Sequence, residues 1–166
     1  MSQAANPAGK RMRIRRLNQG EELALREIFF SSVHQLAKNH YSPEQLRAWS
    51  PMEFDRTKWI SQIQALQPWV VLIDGELAAY ADVQSDGYID HFYVSGGHGG
   101  KGIGSALMAY LLAEARRTQM DSLYSKVSFS AQPLFLKNGF GITSVNTFML
   151  RGIEISNATM VRKLRA

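Results

Sequence analysis

The sequence contains no cysteine. Disulfide bonds, a thiol nucleophile and zinc sites with cysteine ligands are therefore excluded. The four histidines are scattered along the chain, without the close helical pairing that typical metal ligands show. We therefore expect no metal site.

Long hydrophobic runs are also absent, since no apolar stretch approaches the roughly 18 residues that a membrane-spanning helix needs. The first residues, MSQAANPAGKRMR, lack the apolar core of a secretory signal. We expect a cytoplasmic protein with no membrane partner. A length of 166 residues suits one domain. We place a flexible lead-in at residues 1–11 and a single domain at residues 12–166.

Positive charge is present without forming one block. The net charge is +5, and the positive residues cluster at 10–16, 116–117 and 161–166. Such a charge raises the question of nucleic-acid binding. The scattered distribution is more typical of solvated strand and helix ends, so a nucleic-acid partner is unlikely on this pattern. A basic rim that attracts a phosphorylated ligand is the other reading.

The apolar periodicity and the turn residues predict a mixed α+β chain. Ser42, Pro43 and Gln45 form the pattern of a capped helix start. The three strands before the central helix should form an antiparallel meander. The predicted strands are 12–18, 69–73, 77–84, 88–94, 123–129, 142–150 and 153–163, and the predicted helices are 21–38, one beginning after Ser42, 55–66, 102–118 and 131–138.

A glycine-rich loop joins a predicted strand to the central helix. Six glycines fall in the nine residues from Gly96 to Gly104. The first amides of a helix have no intrahelical partner, and the helix dipole adds positive charge there. Glycines let an anion approach that backbone closely. The loop therefore predicts a phosphate or pyrophosphate site.

Three other interpretations of the loop fit less well. A P-loop needs Ser or Thr after its Lys, and Gly102 follows Lys101. A GxGxxG dinucleotide pattern matches at 97–102, but a meander precedes it instead of repeated βαβ units. A merely flexible loop is disfavoured because Gly104 continues into the helix start, where glycine is costly.

The segment from Val94 to Leu107, with GKGIGSAL inside it, resembles motif A of the GNAT superfamily of acyl-CoA-dependent N-acyltransferases. That motif reads Gln/Arg-x-x-Gly-x-Gly/Ala, and Gly102 and Gly104 fill its two small positions. The order of elements and the closing Asn138-Gly139-Phe140 are also similar to the family. HYSPEQLRAW resembles the segment after the first helix in a small bacterial YafP-like branch.

The resemblance implies a GNAT-like α+β (mixed α/β) fold. Its central twisted sheet would be mostly antiparallel, with splayed middle strands and about four to five helices. It implies acetyl-CoA as co-substrate, with the pyrophosphate on the amides of 100–105 and the pantetheine arm along one strand. The residues implied to bind it are Phe92, Tyr93, Val94, Gly99, Gly100, Lys101, Gly102, Ile103, Gly104, Ser105, Ser128 and Phe135.

Two positions depart from the family pattern. Gly99 stands where motif A opens with Gln or Arg, so another residue must supply that contact, with Lys101 or His98 among the candidates. Phe135 stands where many members have a tyrosine that protonates the departing thiolate. A phenyl ring has no proton to give, so water or another group would be needed.

Acetyl transfer to an amine needs a base for the ammonium and a donor for the oxyanion. The family's base-type positions correspond to Asp90 and Tyr88, and we expect Asp90 to be buried near an apolar cleft. The alternative is a structural Asp90 that pairs with an Arg or a backbone amide. A backbone amide near Tyr93 or Val94 is the expected oxyanion donor. Strand alternation predicts two faces, one with Tyr88, Asp90 and Phe92 and the other with Ile89, His91 and Tyr93.

His40 and Tyr41 are the candidate substrate-binding residues, because the family's first helices cover the acceptor site. The resulting hypothesis is an acetyl-CoA-dependent N-acetyltransferase that acts on a primary amine of a small molecule or peptide by direct attack in a ternary complex. The alternative is a catalytically weak CoA-binding regulatory or nucleic-acid-associated module. The C-terminal hairpin could also pair with a second copy, so a homodimer is possible.

Overall fold

The computed structural model describes residues 2–5, of which only the backbone is considered, and residues 11–165. The strands are β1 (Ser2–Ala5), β2 (Arg11–Arg16), β3 (Trp69–Ile73), β4 (Glu76–Ala81), β5 (Tyr88–Ile89), β6 (Phe92–Val94), β7 (Ser122–Val127), β8 (Gly141–Leu150) and β9 (Ile153–Lys163). The helices are α1 (Glu22–Ser31), α2 (Pro43–Trp49), α3 (Arg56–Leu66), α4 (Ile103–Arg117) and α5 (Gln132–Lys137), with a π-helical turn at Ser32–Leu36 and a 3₁₀ turn at Gly96–His98.

The strands form two sheets that meet near β5 and β6. The first is antiparallel in the order β1-β2-β3-β4-β6, and the second has the order β5-β7-β9-β8. In the second sheet only β5 and β7 are parallel, and α4 connects them. This confirms the predicted mixed α/β fold with a mostly antiparallel sheet and five helices.

Local signals fix the starts of two helices. The Ser42 amide donates to Oε1 of Gln45 at 2.9 Å, and the Gln45 amide donates to Oγ of Ser42 at 3.2 Å. The predicted capping box at α2 is thus present. Asp55 caps α3 by accepting from the Lys58 amide at 3.0 Å. The helix predicted at 21–38 is shorter as an α-helix, because the π-helical turn replaces its last part.

A hydrophobic core lies on each side of the sheets. On one side α4 buries its apolar stripe against the strands, with Leu107 and Leu111 fully buried. On the other side α1, α2 and α3 enclose an aromatic core around Trp59 and Tyr80. Burial of this apolar area supplies most of the favourable free energy of folding. Within the described residues, every helix is too short or too polar to cross a bilayer.

The structure differs from the predicted N-terminal lead-in wherever it describes those residues. Residues 2–5 form β1, an edge strand antiparallel to β2, instead of belonging to a flexible lead-in. Backbone hydrogen bonding along the exposed edge of β2 is the physical reason, since an unpaired edge accepts a further strand. Arg11, also assigned to the lead-in, begins β2. The remainder of the lead-in, residue 1 and residues 6–10, lies outside the described residues.

The predicted antiparallel meander is formed by β3, β4 and β6, but the strand predicted at 88–94 is broken. Its first part, β5, pairs with β7, while its second part, β6, pairs with β4. At the break, Oδ1 of Asp82 accepts from the amides of Asp90 at 2.9 Å and His91 at 2.7 Å. Oγ of Ser125 donates to the Ile89 carbonyl at 2.7 Å. These buried side chains occupy backbone groups at the point where the two strands separate.

The break also changes the predicted faces. Ile89 packs in the core beneath α4, whereas His91 lies in the aromatic core on the other side. The two residues were expected to share a face. Strand alternation holds only within a continuous strand, and here it is interrupted between β5 and β6.

Burial raises the pKa of Asp82 from 3.8 to about 6, against the opposing effect of its hydrogen bonds. A raised carboxyl pKa means that the native state binds the proton more tightly than the unfolded chain. The contribution of Asp82 to stability is therefore largest below pH 4 and falls as pH rises towards 6.

We predict that Asp82→Asn removes this pH dependence while its amide oxygen keeps the two backbone bonds. The free energy of unfolding of the wild type relative to Asp82→Asn should fall by about 2 kcal/mol between pH 4 and pH 7, since each pKa unit corresponds to about 1.4 kcal/mol and part of the change lies below pH 4. Urea denaturation across this range measures it. Asp82→Ala should lose about 3 kcal/mol throughout, because it leaves two buried amides without an acceptor. A wild type and an Asn variant with parallel pH profiles would contradict the assignment.

Candidate active site

A cleft of about 290 Å³ opens where β6 and β7 diverge. Most of the predicted cofactor-binding residues line it. Lys101 is exposed and lies outside the lining, and Phe135 contributes instead to a second cavity described below. The lining consists of Ser32, Leu36, Ala37, Trp49, Phe92, Tyr93, Val94, His98, Gly99, Gly100, Gly102, Ile103, Gly104, Ser105, Ser128, Ser130, Ala131 and Leu134.

The glycine loop forms one end of the cleft at the start of α4. Gly100 and Gly102 have φ of 72° and 80°, in the left-handed region that favours glycine. No side chain caps α4, so its first amides are not occupied by a side-chain acceptor. A helix of 15 residues also directs its positive dipole end towards this point. The loop can therefore bind an anion through backbone amides.

The space beside Gly99, the position that departs from motif A, is occupied by a neighbouring side chain. Gly99 has a φ of −64°, which suits any residue, so glycine is not required for conformation. A Cβ there would lie 2.6 Å from Cδ2 of Leu36, in the π-helical turn after α1. Just before this turn, at the end of α1, Oγ of Ser31 accepts a hydrogen bond from the Gly96 amide at 2.9 Å. The turn and the loop together form a wall of the cleft.

The sequence analysis missed this wall. Ser32, Leu36 and Ala37 line the cleft, although 21–38 was taken as an ordinary helix. The one available signal was Gly99 itself, since a glycine in place of a motif side chain indicates close approach by another element.

Backbone amides of β6 face the gap. The Asp82 amide donates to the His91 carbonyl at 3.1 Å, and the Ser95 amide donates to the Ala78 carbonyl at 2.8 Å. Antiparallel bonds recur at alternate residues, so Tyr93 is the residue in β6 that bonds to β4. It follows that the amides of Phe92 and Val94 point into the gap.

A second, smaller cavity adjoins the cleft at the apex of the gap. It shares Trp49, Phe92, Tyr93, Ser128 and Ala131 with the cleft. Its other lining residues are Asp90, Ser125, Lys126, Val127 and Phe135. A group bound in this cavity would lie beside one bound at the inner end of the cleft.

Asp90 lines this second cavity but is exposed, so its expected burial is wrong. The chain turns outward at the break, and Asp82 takes the buried place instead. The backbone of Asp90 bonds to Asp82, while among the described residues nothing donates to the Asp90 carboxylate. The carboxylate is free to meet a ligand, which favours a functional role over the structural alternative.

Tyr88 lies half-buried, with its ring centroid 5.0 Å from that of Tyr124. Burial, with the charges of Asp90 and Asp82, raises the pKa of Tyr88 to about 12. A phenol with this pKa remains protonated near neutral pH. Tyr88 lines neither cavity, so Asp90 is left as the carboxylate base candidate.

His91 is buried among aromatic rings, with Nδ1 3.0 Å from the Tyr80 hydroxyl. Burial lowers the pKa of His91, which favours the neutral imidazole. The residue is a packed part of the aromatic core, as its predicted position away from Asp90 implied.

The two substrate-binding candidates are not brought to the cavities. His40 is exposed and lies outside both linings. Tyr41 is buried, and its hydroxyl donates to the Ser156 carbonyl at 2.8 Å and accepts from the Phe129 amide at 3.0 Å. Trp49, the last residue of α2, lines both cavities instead.

Phe135 is fully buried and packs edge-on against Phe92 and Phe140, at centroid distances of 5.5 and 4.9 Å. It can shape the second cavity but has no proton to donate. Ser128 and Ser130 lie near it with their hydroxyls 3.0 Å apart. Residues 11–165 contain no group of three side chains suited to holding a metal ion.

We predict that Gly104→Val weakens CoA binding at least about tenfold, because a Cβ at this position already lies 3.1 Å from Cδ2 of Leu134 and 3.6 Å from Cγ2 of Val94 in the cleft wall. Titration calorimetry with CoA measures the change. Gly97→Val is the matched control, since Gly97 is exposed, has open space around it and lies outside the lining. Equal affinities in two folded variants would refute this location for the cofactor.

Comparison with known proteins agrees with this geometry. Residues 37–161 match the family model described as the acetyltransferase (GNAT) domain. The protein named uncharacterized N-acetyltransferase YafP, from Escherichia coli K12, is 28% identical over 149 residues, which cover 90% of this chain and 94% of that protein.

Two solved structures share the fold. A GCN5-related N-acetyltransferase from Rhodopseudomonas palustris superposes with a TM-score of 0.87 at 24% identity and covers 99% of both chains. YncA from Salmonella typhimurium, solved with acetyl-CoA, has a TM-score of 0.68 at 22% identity and covers 93% of this chain and 95% of its own. Because the family model spans most of the sequence, the chain belongs to the GNAT acetyltransferase family, which confirms the resemblance at motif A and the predicted acetyl-CoA-dependent N-acetyltransferase.

Proposed function

We propose that this protein transfers the acetyl group of acetyl-CoA to a primary amine of a small molecule or peptide by direct attack in a ternary complex. The observation that supports it most is the gap between β6 and β7. The glycine loop lies at one end of this gap and the free carboxylate of Asp90 at the other. Donor and acceptor would meet where the two cavities share their walls.

The cleft suits the donor. Its loop end offers the uncapped amides of α4 to a pyrophosphate. The backbone of β6, with the amides of Phe92 and Val94 directed into the gap, can pair with an extended amide-bearing arm as a further strand would. The acetyl-CoA in the structure of YncA, a protein of the same fold, supports this choice of co-substrate.

Acetyl transfer to an ammonium proceeds in three steps, which are deprotonation, attack on the thioester and loss of the thiolate. Asp90, directly or through water, takes one proton from the acceptor ammonium and frees its lone pair. The nitrogen then attacks the thioester carbonyl, and the amide of Phe92 or Val94 donates to the oxyanion. The carbon–sulfur bond breaks, the nitrogen loses its second proton, and the CoA thiolate takes up a proton. The products are an N-acetyl amide and CoA.

A direct route agrees with the composition. The chain has no cysteine, so an acetyl-cysteine intermediate is excluded. Placing both substrates side by side lowers the entropic part of the barrier, which is the main contribution expected of a site that binds two reactants.

The alternative of a catalytically weak CoA-binding module is supported by the departures at Gly99 and Phe135 and by the basic charge of the chain. Gly99 departs from the motif because Leu36 fills its place, so this departure does not indicate a decayed cleft. Phe135 still supplies no proton for the thiolate. Water reaching the exposed side of Asp90 would serve that purpose.

We predict that Asp90→Asn lowers amine-dependent release of CoA thiol by about 100-fold or more, since a positioned base typically contributes this much. A thiol-reactive chromophore follows the release with a panel of primary amines, and the cysteine-free protein gives no background. Asp121→Asn is the control, because Asp121 is an exposed carboxylate whose side chain is 85% accessible, away from both cavities.

The experiment distinguishes the two functions. CoA binding without thiol release above the enzyme-free rate, for every amine in the panel, would favour the non-catalytic module. Full activity in a folded Asp90→Asn variant would show that Asp90 is not the base, although the protein would still be an acetyltransferase.

A further inference from the structure

The acceptor side of the site contains two opposite charges around one cavity. The ring centroids of Tyr88 and Tyr124 lie 5.0 Å apart, and the parallel register pairs these residues, so both point to the same side of the sheet. By strand alternation, Lys126 follows Tyr124 on this side. Asp90 lies at the break after β5, where alternation no longer applies, and its place beside Lys126 follows from the cavity that the two residues share. Both Asp90 and Lys126 line the small cavity.

Within the described residues, the Asp90 carboxylate and the Lys126 ammonium have no bonding partner in the protein itself. The described residues show no ion pair between Asp90 and Lys126, and neither side chain takes part in a hydrogen bond. Both residues are exposed. A carboxylate and an ammonium that stand at the mouth of one cavity without pairing are available to a ligand with both signs of charge.

The pair of opposite charges at Asp90 and Lys126 favours some classes of acceptor amine over others. A polycationic amine would meet a single carboxylate beside the Lys126 ammonium, in a chain of net charge +5. A neutral aromatic amine would make no use of either charge. An amine with a nearby carboxylate would satisfy both.

The cavity itself is small, with a volume of about 40 Å³. Besides the two charged residues, its walls combine polar groups at Ser125 and Ser128 with apolar groups at Val127 and Phe135. It therefore has room for the charged end of a ligand and not for a large side chain.

We propose that the acceptor is a free amino acid. Asp90 binds its ammonium and accepts the proton, while Lys126 binds its carboxylate. The inference rests on the proposed acetyl transfer and names the substrate class of that site. Acetylation converts the ammonium into a neutral amide and leaves the carboxylate, so the N-acetyl amino acid loses its attraction to Asp90 and can leave.

The test compares matched acceptors. Each of the proteinogenic amino acids except cysteine, whose own thiol would react with the chromophore, is assayed for CoA thiol release beside its carboxamide, and phenylalanine and leucine also beside their decarboxylated amines. At least one amino acid should exceed its carboxamide in kcat/KM by about ten- to a hundredfold, the value of a hydrogen bond to a charged group.

Lys126→Gln should abolish that preference by lowering kcat/KM for the amino acid while leaving the carboxamide unchanged. This split separates carboxylate binding from a structural role, which would lower both. Lys163→Gln is the matched control, because Lys163 is an exposed lysine on the neighbouring strand β9 that lines neither cavity.

The outcomes are distinct. Carboxamides or simple amines that react as well as amino acids, or a Lys126→Gln variant that slows every acceptor equally, would overturn the amino-acid proposal and leave the acetyltransferase intact. Absence of thiol release with every acceptor class would instead overturn the proposed function on which it rests.

Discussion

The site depends on the buried carboxylate of Asp82, which stabilises the break between β5 and β6. This carboxylate accepts two successive backbone amides at the point where a continuous strand would otherwise run from β5 into β6. Ser125 occupies a carbonyl on the other side of the break. Because buried backbone groups must be paired, these two side chains make a break in the sheet possible at a tolerable cost.

The break determines the arrangement of the reactants. It leaves β6 paired with β4 and β5 paired with β7, so a gap widens between β6 and β7. One end of the gap receives the glycine loop, and the other receives Asp90 and Lys126. A charge buried at Asp82 thus allows another carboxylate, at Asp90, to remain exposed where a substrate can reach it.

Features with local signals could be predicted from the sequence, including the capping box at Ser42, the strand at 69–73 and the central helix that becomes α4. The glycine loop was located correctly for the same reason. The strand break, the exposure of Asp90 and the internal bonding of Tyr41 could not be predicted, because each depends on residues distant in sequence. The sequence signal for the strand break was Asp82, an acidic residue that follows directly after the buried run Ala78–Ala81.

The π-helical turn at Ser32–Leu36 has a consequence for variation in chain length. Such a turn accommodates one residue more than an α-helical turn, and each residue of an α-helix advances by about 100°. Deleting one residue there would restore a regular helix and rotate Leu36 away from Gly99, which would open one wall of the cofactor cleft. A single insertion or deletion in α1, far from the glycine loop in sequence, is therefore a route by which related chains can reshape the same pocket without altering any residue of motif A.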